Sequence, residues 1–141
     1  MLYYKFTTAH DRSFYGDCQW GAGVTHAVEG PLIRCSNGIH VYTDPLVGLF
    51  LNPTHADIHN PHIWEGEAQG DQIADATKIV VRRFTALRMM NIPEPTTVQR
   101  VAFGILCARE MYTEPFFAAW AESWLSKQDR SSAAAARLPY R

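Results

Sequence analysis

The segment Cys35-Ser-Asn-Gly-Ile-His-Val-Tyr-Thr-Asp-Pro45 decides how the first half of the chain is laid out. Its Asn-Gly pair is a turn signal, and the β-branched and aromatic residues that follow predict a short strand over residues 39–43. The Asp-Pro pair is typical of a helix start, because aspartate caps the first turn and proline suits the first helical position. We therefore predict a helix over Pro45–Leu51 that ends before Pro53.

Further strands are expected on both sides of this segment. Four stretches are rich in β-branched and aromatic residues or alternate between apolar and polar ones, namely residues 2–8, 24–28, 63–69 and 78–90. After Pro93 the pattern becomes helical, because Thr96-Thr-Val-Gln99 is a capping box and Glu114-Pro115 opens a second helix. Since strands come first and helices last, the sequence predicts an α+β fold: a small, mostly antiparallel sheet over about residues 2–90 and a C-terminal helical pair over about residues 96–126.

The C-terminal helices carry the remaining structural predictions. The first has an apolar stripe that includes Cys107, which we expect in the core, and Gly104 is expected to admit a neighbouring backbone. The second carries aromatic anchors, some of which are available for a homodimer: Phe116, Phe117, Trp120 and Trp124. We predict one domain over residues 1–126, with residues 127–141 as a frayed helix or tail.

Composition places the chain among folded proteins of ordinary size. Of its 141 residues, 47% are apolar and 19% are charged, which suits a domain with a hydrophobic core. The formal net charge of -1 gives no reason to expect a nucleic acid or a membrane as the direct partner. Its three cysteines show no paired spacing, and the N-terminus lacks the apolar run of a signal peptide. These features predict a reduced, cytoplasmic protein with free thiols.

Two strands offer a candidate polar active-site face. Because side chains alternate along a strand, His40 and Tyr42 are expected on one face of their strand, and Glu65 and Glu67 on one face of another. If these faces align, an imidazole, a phenol and carboxylates converge, and such a set can orient a substrate or transfer protons. The alternative is that Tyr42 is a core aromatic and the glutamates form an exposed edge.

A histidine-rich stretch is a weak candidate for a zinc site. His55, His59 and His62 lie within eight residues, and the first two have the spacing that lets two ligands share a helical face. The metalloprotease motif is incomplete and prolines interrupt the stretch, so histidines in a surface loop are the alternative. Cys35 is a candidate nucleophile because His40 is near in sequence, with a structural cysteine as the alternative.

Basic residues cluster on one predicted strand. Lys78, Arg82, Arg83 and Arg88 form a candidate binding surface for phosphate or for an acidic partner, with Lys78, Arg82 and Arg88 on one face. The alternative is an exposed strand edge that these charges guard against pairing with another chain. The sequence contains no phosphate-binding glycine loop and no nucleic-acid module.

The chain resembles small uncharacterised domains found in phage and prophage proteins. The resemblance rests on a C-x-x-G-[FI]-H turn, here Cys35-Ser-Asn-Gly-Ile-His40, and on an E-[AV]-x-G strand, here within Trp64-Glu-Gly-Glu-Ala-Gln-Gly70. It implies an accessory protein of a phage or mobile element in a bacterial host. Such a protein is expected to act by binding and to inhibit a host defence component, either through contact with a host protein or through capture of a small nucleotide.

A weaker likeness connects the chain with ADP-ribosyltransferase folds. Three elements occur in the order of those folds: Lys5 or Tyr4 on an early strand, the strand-to-helix unit Gly38–Leu51, and Glu65 or Glu67 on a later strand. This likeness implies an enzyme that uses NAD, in which His40 and Tyr42 place the nicotinamide and a glutamate orients the ribose. A structural role in the virion or in its assembly is a further alternative.

Overall fold

The described strands and one helix lie in the first part of the chain, and the other described helices follow them. In the computed structural model, which describes residues 1–74 and 77–138, an antiparallel five-stranded sheet comes with four helices. The first compact unit, Met1–Glu94, contains β1 (Leu2–Thr7), β2 (Thr25–Ala27), β3 (Ile39–Val41), α1 (Pro45–His55), β4 (His62–Ala74) and β5 (Ile79–Met90). The second, Pro95–Arg141, contains α2 (Thr97–Met111), α3 (Pro115–Leu125) and α4 (Ser132–Ala136). The predicted α+β fold is confirmed, and the domain boundary at residue 126 stays a prediction.

The long hairpin of β4 and β5 is the centre of the sheet. β1 pairs with the edge of β4 that faces away from β5. β3 and β2 pair with successive parts of the edge of β5 that faces away from β4. Beyond β3 the chain turns towards β1, where Tyr4 and Tyr42 exchange both of their backbone hydrogen bonds, each 2.9 Å long. This bridge joins β1 to the residue that follows β3, so the sheet curls back on itself.

Two hydrophobic clusters pack on opposite faces of the curled sheet. Because side chains alternate along a strand, Tyr3 of β1 packs in the larger cluster and Phe6 in the smaller one. The larger cluster also contains Trp20, Ile39, Val41, Trp64, Val81, Phe84 and Ala86. The smaller cluster joins Phe6 to Tyr42, Ile58 and Ile63. Each large apolar side chain that is fully buried in this way contributes ~1.5–3 kcal/mol to stability.

A register shift interrupts the ladder between β4 and β5. Glu65 pairs with Arg88 but the next residue, Gly66, pairs with Ala86, so Leu87 is the extra residue of a bulge. A Cβ at Gly66 would lie 2.1 Å from a backbone oxygen of β5, so the strands approach too closely for any other residue. The alternation that predicted one basic face on β5 therefore does not hold beyond residue 86.

Helix α1 is one turn longer than predicted. Asp44 accepts a 2.7 Å hydrogen bond from a backbone N–H of the first turn, as expected of an N-cap, but the helix continues to His55 with Pro53 inside it. Proline removes one backbone donor, yet its own dihedral angle suits a helix. The buried amide of Asn52 then holds the end of the helix through hydrogen bonds of 2.9 and 3.0 Å with the backbone of Ile58. The prediction that Pro53 ends the helix is wrong.

The second unit begins with the predicted capping box. Thr96 Oγ1 accepts a 3.2 Å hydrogen bond from the backbone of Gln99, whose side chain accepts one of 2.9 Å from the backbone of Thr96. Residues 127–138 include the short helix α4, and residues 139–141 of the predicted tail lie outside the described residues. Among the described helices, none is both long enough and apolar enough to cross a bilayer.

The apolar stripe of α2 is only partly used in the second unit. Its core cluster is small, consisting of Ile105, Ala121 and Trp124. Cys107 is exposed, so the prediction that it lies in the core is wrong. The predicted close approach of a backbone to Gly104 is not found either, because no described atom lies within 4 Å of a Cβ built there.

Gly48 and Gly104 provide a matched test of packing in the two units. A Cβ at Gly48 would lie 2.8 Å from ring atoms of both Phe6 and Tyr42. Gly48→Ala is therefore expected to lower the free energy of unfolding by ~1–3 kcal/mol, because overpacking outweighs the gain in helix propensity. Gly104→Ala is expected to raise it by ~1 kcal/mol, because alanine is the better helix former. Urea denaturation followed by circular dichroism measures both changes.

A Gly48→Ala variant that is at least as stable as the wild type would contradict the first expectation. It would show that the two rings move aside without cost, and hence that α1 is not held at its present distance from the sheet.

Candidate functional site

A cleft of about 580 Å³ opens in the first unit beside the Tyr4–Tyr42 bridge, and we call it the Lys5 cleft. Its walls come from β1, the loop over residues 13–20, the segment over residues 35–42 and the C-terminal part of α1. No described lining residue is an aspartate or a glutamate. The titratable side chains of the lining are Lys5, Lys78, His40, His55, Cys18, Cys35, Tyr15 and Tyr42. This volume is typical of small-molecule sites.

Lys5 is half-buried in the wall of the cleft. Burial lowers the pKa of Lys5 from 10.5 to about 8, and the nearby Cys18, which acts in the opposite direction, offsets part of this effect. Among the described residues, the acceptor for its ammonium group is the backbone oxygen of Phe6, 3.1 Å from Nζ. Since about half of such a lysine is neutral near pH 8, Lys5 can serve as a cation or as an amine nucleophile according to pH.

Tyr42 and His55 form a hydrogen-bonded pair in the same cleft. The phenol oxygen of Tyr42 lies 2.7 Å from Nδ1 of His55, and the two rings stack with an interplanar angle of 10°. The residue after β3 supplies the phenol, and the last residue of α1 supplies the imidazole. Such a pair can pass a proton to or from a ligand, because both groups act as donor and acceptor.

His40, Cys35 and Lys78 form another polar group of the lining. Nε2 of His40 accepts a 3.3 Å hydrogen bond from the backbone N–H of Cys35, and Nζ of Lys78 lies 3.8 Å from Sγ of Cys35. Cys35 adopts a left-handed conformation with φ of 59° at the tight turn before β3. Cys35 and His40 therefore meet in space, although the imidazole contacts the backbone of the cysteine and the ammonium group contacts its sulfur.

The loop over residues 13–20 brings aromatic side chains to the cleft. Phe14 and Tyr15 lie at its tip, where they are 46% and 79% exposed and contact each other edge to face with ring centroids 4.8 Å apart. At the base of the loop, the buried Trp20 donates a 2.9 Å hydrogen bond from Nε1 to the hydroxyl of Ser13. The lining thus combines cationic groups with exposed aromatic rings.

Glu65 and Glu67 lie outside the lining of the Lys5 cleft. Glu65 is only 8% exposed, and its carboxylate accepts a 2.6 Å hydrogen bond from Nε of Arg88, which raises the pKa of Arg88. Glu67 is exposed on β4. The structure thus brings His40 and Tyr42 to one cleft, whereas both predicted carboxylates lie outside its lining, and Glu65 binds Arg88 across the β4–β5 hairpin.

The four basic residues of the predicted binding surface have separate surroundings. Lys78 lines the cleft, Arg88 binds Glu65, and Arg83 is exposed. Arg82 binds the carboxylate of Asp71 through hydrogen bonds of 2.8 and 2.9 Å, which lowers the pKa of Asp71. Of these four residues, Lys78 is therefore the one positioned to meet a ligand in the Lys5 cleft.

The three histidines of the predicted zinc site also have different neighbours. His55 binds Tyr42, His59 is exposed, and Nδ1 of His62 lies 2.8 Å from the carboxylate of Asp11. The same oxygen of Asp11 accepts a 2.9 Å hydrogen bond from the indole of Trp64. Within the described residues, no group of three or more histidine, cysteine or acidic side chains is arranged to hold a metal ion.

Sequence reasoning missed two parts of this site. The aromatic loop over residues 13–20 has no motif of its own, because its single glycine and its polar residues are typical of any connection. Lys5 was considered only through the transferase likeness, although its position between aromatic residues of β1 is a usable signal. A lysine inside a strand of mostly aromatic and β-branched residues has to be desolvated or to reach a rim.

Comparison with known proteins returns no relative for this chain. It matches no family model, no curated protein and no solved structure. The resemblance to phage-type domains and the weaker likeness to ADP-ribosyltransferase folds therefore stay predictions. The chemistry of the Lys5 cleft has to be inferred from its own residues.

Lys5 is expected to make the stability of the protein depend on pH. Because its pKa is about 8 in the folded protein and 10.5 is its ordinary value, the unfolded chain binds more protons between these pH values, and stability rises with pH across this window. Lys5→Met removes this contribution. Its Tm should therefore exceed that of the wild type most clearly below pH 8, and the difference should shrink between pH 8 and 10.5. Thermal unfolding followed by circular dichroism measures both profiles.

Lys127 provides the matched control, because it is an exposed lysine in the second unit. Lys127→Met is expected to leave the profile parallel to that of the wild type. A parallel profile for Lys5→Met as well would show that the amine of Lys5 is hydrated in the folded protein.

Proposed function

We propose that this protein is an accessory protein of a phage or mobile element that acts by binding, and that the Lys5 cleft captures a small nucleotide. In the cytoplasm of a bacterial host, such capture would withhold the nucleotide from a defence component. The observation that carries the proposal is the composition of the cleft lining, in which two lysines and two histidines accompany exposed aromatic side chains.

The cations of the lining are complementary to phosphate. Lys5 and Lys78 present ammonium groups to the cleft, and His40 and His55 add two imidazoles. An ion pair in a partly desolvated cleft is stronger than one in open solvent, because the local dielectric is lower. None of the described lining residues carries a carboxylate that would repel an anion. An anionic ligand is therefore favoured over a neutral or cationic one.

The aromatic loop makes a nucleotide a better match than a bare anion. Phe14 and Tyr15 expose their rings at the cleft, and stacking of one nucleobase on an aromatic side chain is worth ~1–3 kcal/mol. A cleft of about 580 Å³ is within the usual range for ligands of this size. Phosphate and base thus each find a complementary part of the same lining.

An NAD-using transferase is the second candidate function, and one observation favours it. Lys5 and Tyr42, which belong to the first two elements of the likeness, line the same cleft. The third element requires a carboxylate at the ribose, and both Glu65 and Glu67 lie outside the lining. Incubation of the full chain with NAD separates the two functions. Release of nicotinamide, detected by liquid chromatography, would favour the transferase, whereas binding of NAD without release supports capture.

Contact with a host protein, formation of a homodimer and a role in the virion or its assembly stay predictions. The exposed Phe116 at the start of α3, at 72% exposure, is available for a protein contact.

Lys78→Met tests the proposed capture of a nucleotide. The variant is expected to bind mononucleotides about tenfold to a hundredfold more weakly than the wild type, because a hydrogen bond to a charged group is worth ~1.5–3 kcal/mol. Isothermal titration calorimetry with a panel of purine and pyrimidine monophosphates measures the change. Binding to the wild type is also expected to weaken as salt is added, since screening reduces the attraction between exposed charges.

Lys127→Met again serves as the control and is expected to bind like the wild type. Equal weakening in both variants would mean that general charge attraction, and not the cleft, holds the ligand. Absence of binding at millimolar concentrations of every nucleotide in the panel would contradict the proposal.

A further inference from the structure

Lys5 has surroundings that differ from those of a structural buried lysine. Buried lysines are ordinarily paired with a carboxylate, because an isolated ammonium group is costly to remove from water. Among the described residues, the acceptor of Lys5 is the backbone oxygen of Phe6 at 3.1 Å, and no described lining residue of its cleft is acidic. The amine therefore lies in a ligand-sized cleft in which no described carboxylate fixes it in the protonated form, and the nearby Cys18 offsets only part of the effect of burial.

These surroundings make the amine of Lys5 a better nucleophile near pH 7 than an ordinary lysine. With a pKa of about 8, roughly a tenth of the amine is neutral at pH 7, whereas an ordinary lysine has well under a thousandth in that form. Desolvation of this kind is how lysine nucleophiles that attack carbonyl groups are activated.

We propose that Lys5 forms a reversible imine with an aldehyde or ketone group of an anionic ligand in the Lys5 cleft. The amine attacks the carbonyl carbon, and the electron pair of the C=O π bond moves to oxygen, which takes up a proton. The nitrogen of the resulting carbinolamine loses a proton, the C–O bond breaks, and one water molecule leaves as the C=N bond forms. The step is the condensation of an amine with a carbonyl group and needs neither an oxidant nor a reductant.

The Tyr42–His55 pair supplies the proton chemistry that this condensation requires. Carbinolamine formation and loss of water both need a proton at the ligand oxygen, and the 2.7 Å hydrogen bond keeps a proton shared between phenol and imidazole in the same cleft. Lys78 provides a second ammonium group for the anionic part of the ligand. This last role rests on the proposed function, whereas the imine itself does not.

Pyridoxal 5′-phosphate is a suitable probe, because it carries an aldehyde, a phosphate and an aromatic ring. The full chain is incubated with the probe at pH 7, reduced with borohydride to fix any imine, digested, and analysed by mass spectrometry. Labelling of Lys5 is expected to exceed that of Lys127 at least tenfold at low probe concentration. Lys5→Met is expected to lose this label while its far-UV circular dichroism remains that of the wild type.

Two analogues make the failure of this inference distinguishable from the failure of the proposed function. Pyridoxine 5′-phosphate keeps the phosphate and ring but lacks the carbonyl group, and pyridoxal lacks the phosphate. Binding of pyridoxine 5′-phosphate with no preferential labelling of Lys5 by the aldehyde would overturn the imine and leave anion capture standing. Preferential and equal labelling of Lys5 by pyridoxal and its phosphate would support the imine and argue against anion capture. If pyridoxine 5′-phosphate does not bind and Lys5 is not preferentially labelled, both the imine and anion capture are overturned.

Tyr42→Phe separates a chemical role of the phenol from a packing role. The ring is retained in the smaller core cluster, so the affinity for pyridoxine 5′-phosphate is expected to stay within about twofold of the wild type. The rate of labelling at Lys5 is expected to fall at least tenfold. An unchanged rate would remove Tyr42 from the proposed step and leave Lys5 as the reacting group.

Discussion

The antiparallel bridge between Tyr4 and Tyr42 is the constraint on which the first unit depends. Its two backbone hydrogen bonds of 2.9 Å bring the chain after β3 against β1 and curl the sheet. The bridge also determines where the side chains of the cleft lie, because Lys5 comes directly after Tyr4 and His40 lies two residues before Tyr42. A shift of one residue in this pairing would move each of these side chains to the opposite face. The backbone register thus determines which chemical groups meet.

The electrostatic character of the cleft depends on where the carboxylates are used. Glu65 binds Arg88, Asp71 binds Arg82, and Asp11 receives hydrogen bonds from an imidazole and an indole. Each of these pairs holds a strand or a loop in place, and each keeps an acidic group occupied outside the described lining of the Lys5 cleft. The chain is nearly neutral as a whole, at a net charge of -1, yet the described titratable lining of its cleft consists of lysine, histidine, cysteine and tyrosine. The proposed preference for an anion therefore rests on local charge separation and not on net charge.

Local signals predicted the strands and helices well, whereas the site depends on contacts that local signals do not encode. Alternating apolar residues and the caps at Asp44 and Thr96 correctly predicted the sheet, the start of α1 and the start of α2. Alternation made Tyr42 a candidate residue, whereas its hydrogen-bond partner His55 was only a weak candidate for a zinc site. The reason is that α1 continues past Pro53 through the amide of Asn52, a tertiary contact that the prolines conceal. Alternation gives the face of a side chain and not its neighbour across the sheet, so it did not predict that Glu65 binds Arg88 outside the lining of the cleft.

The close packing around Gly48 restricts which residues can replace it and its two aromatic neighbours during evolution. Gly48 lets α1 lie directly against Phe6 and Tyr42, two rings that stand in T-shaped contact with centroids 5.3 Å apart. Phe6 belongs to β1, Tyr42 directly follows β3, and Gly48 belongs to α1. A change of volume at any of these positions therefore has to be absorbed by the other two. Positions 6, 42 and 48 are thus expected to vary together among homologues, with a larger residue at 48 accompanied by a smaller one at 6 or 42. Diverging lineages would cross between such combinations through less stable intermediates.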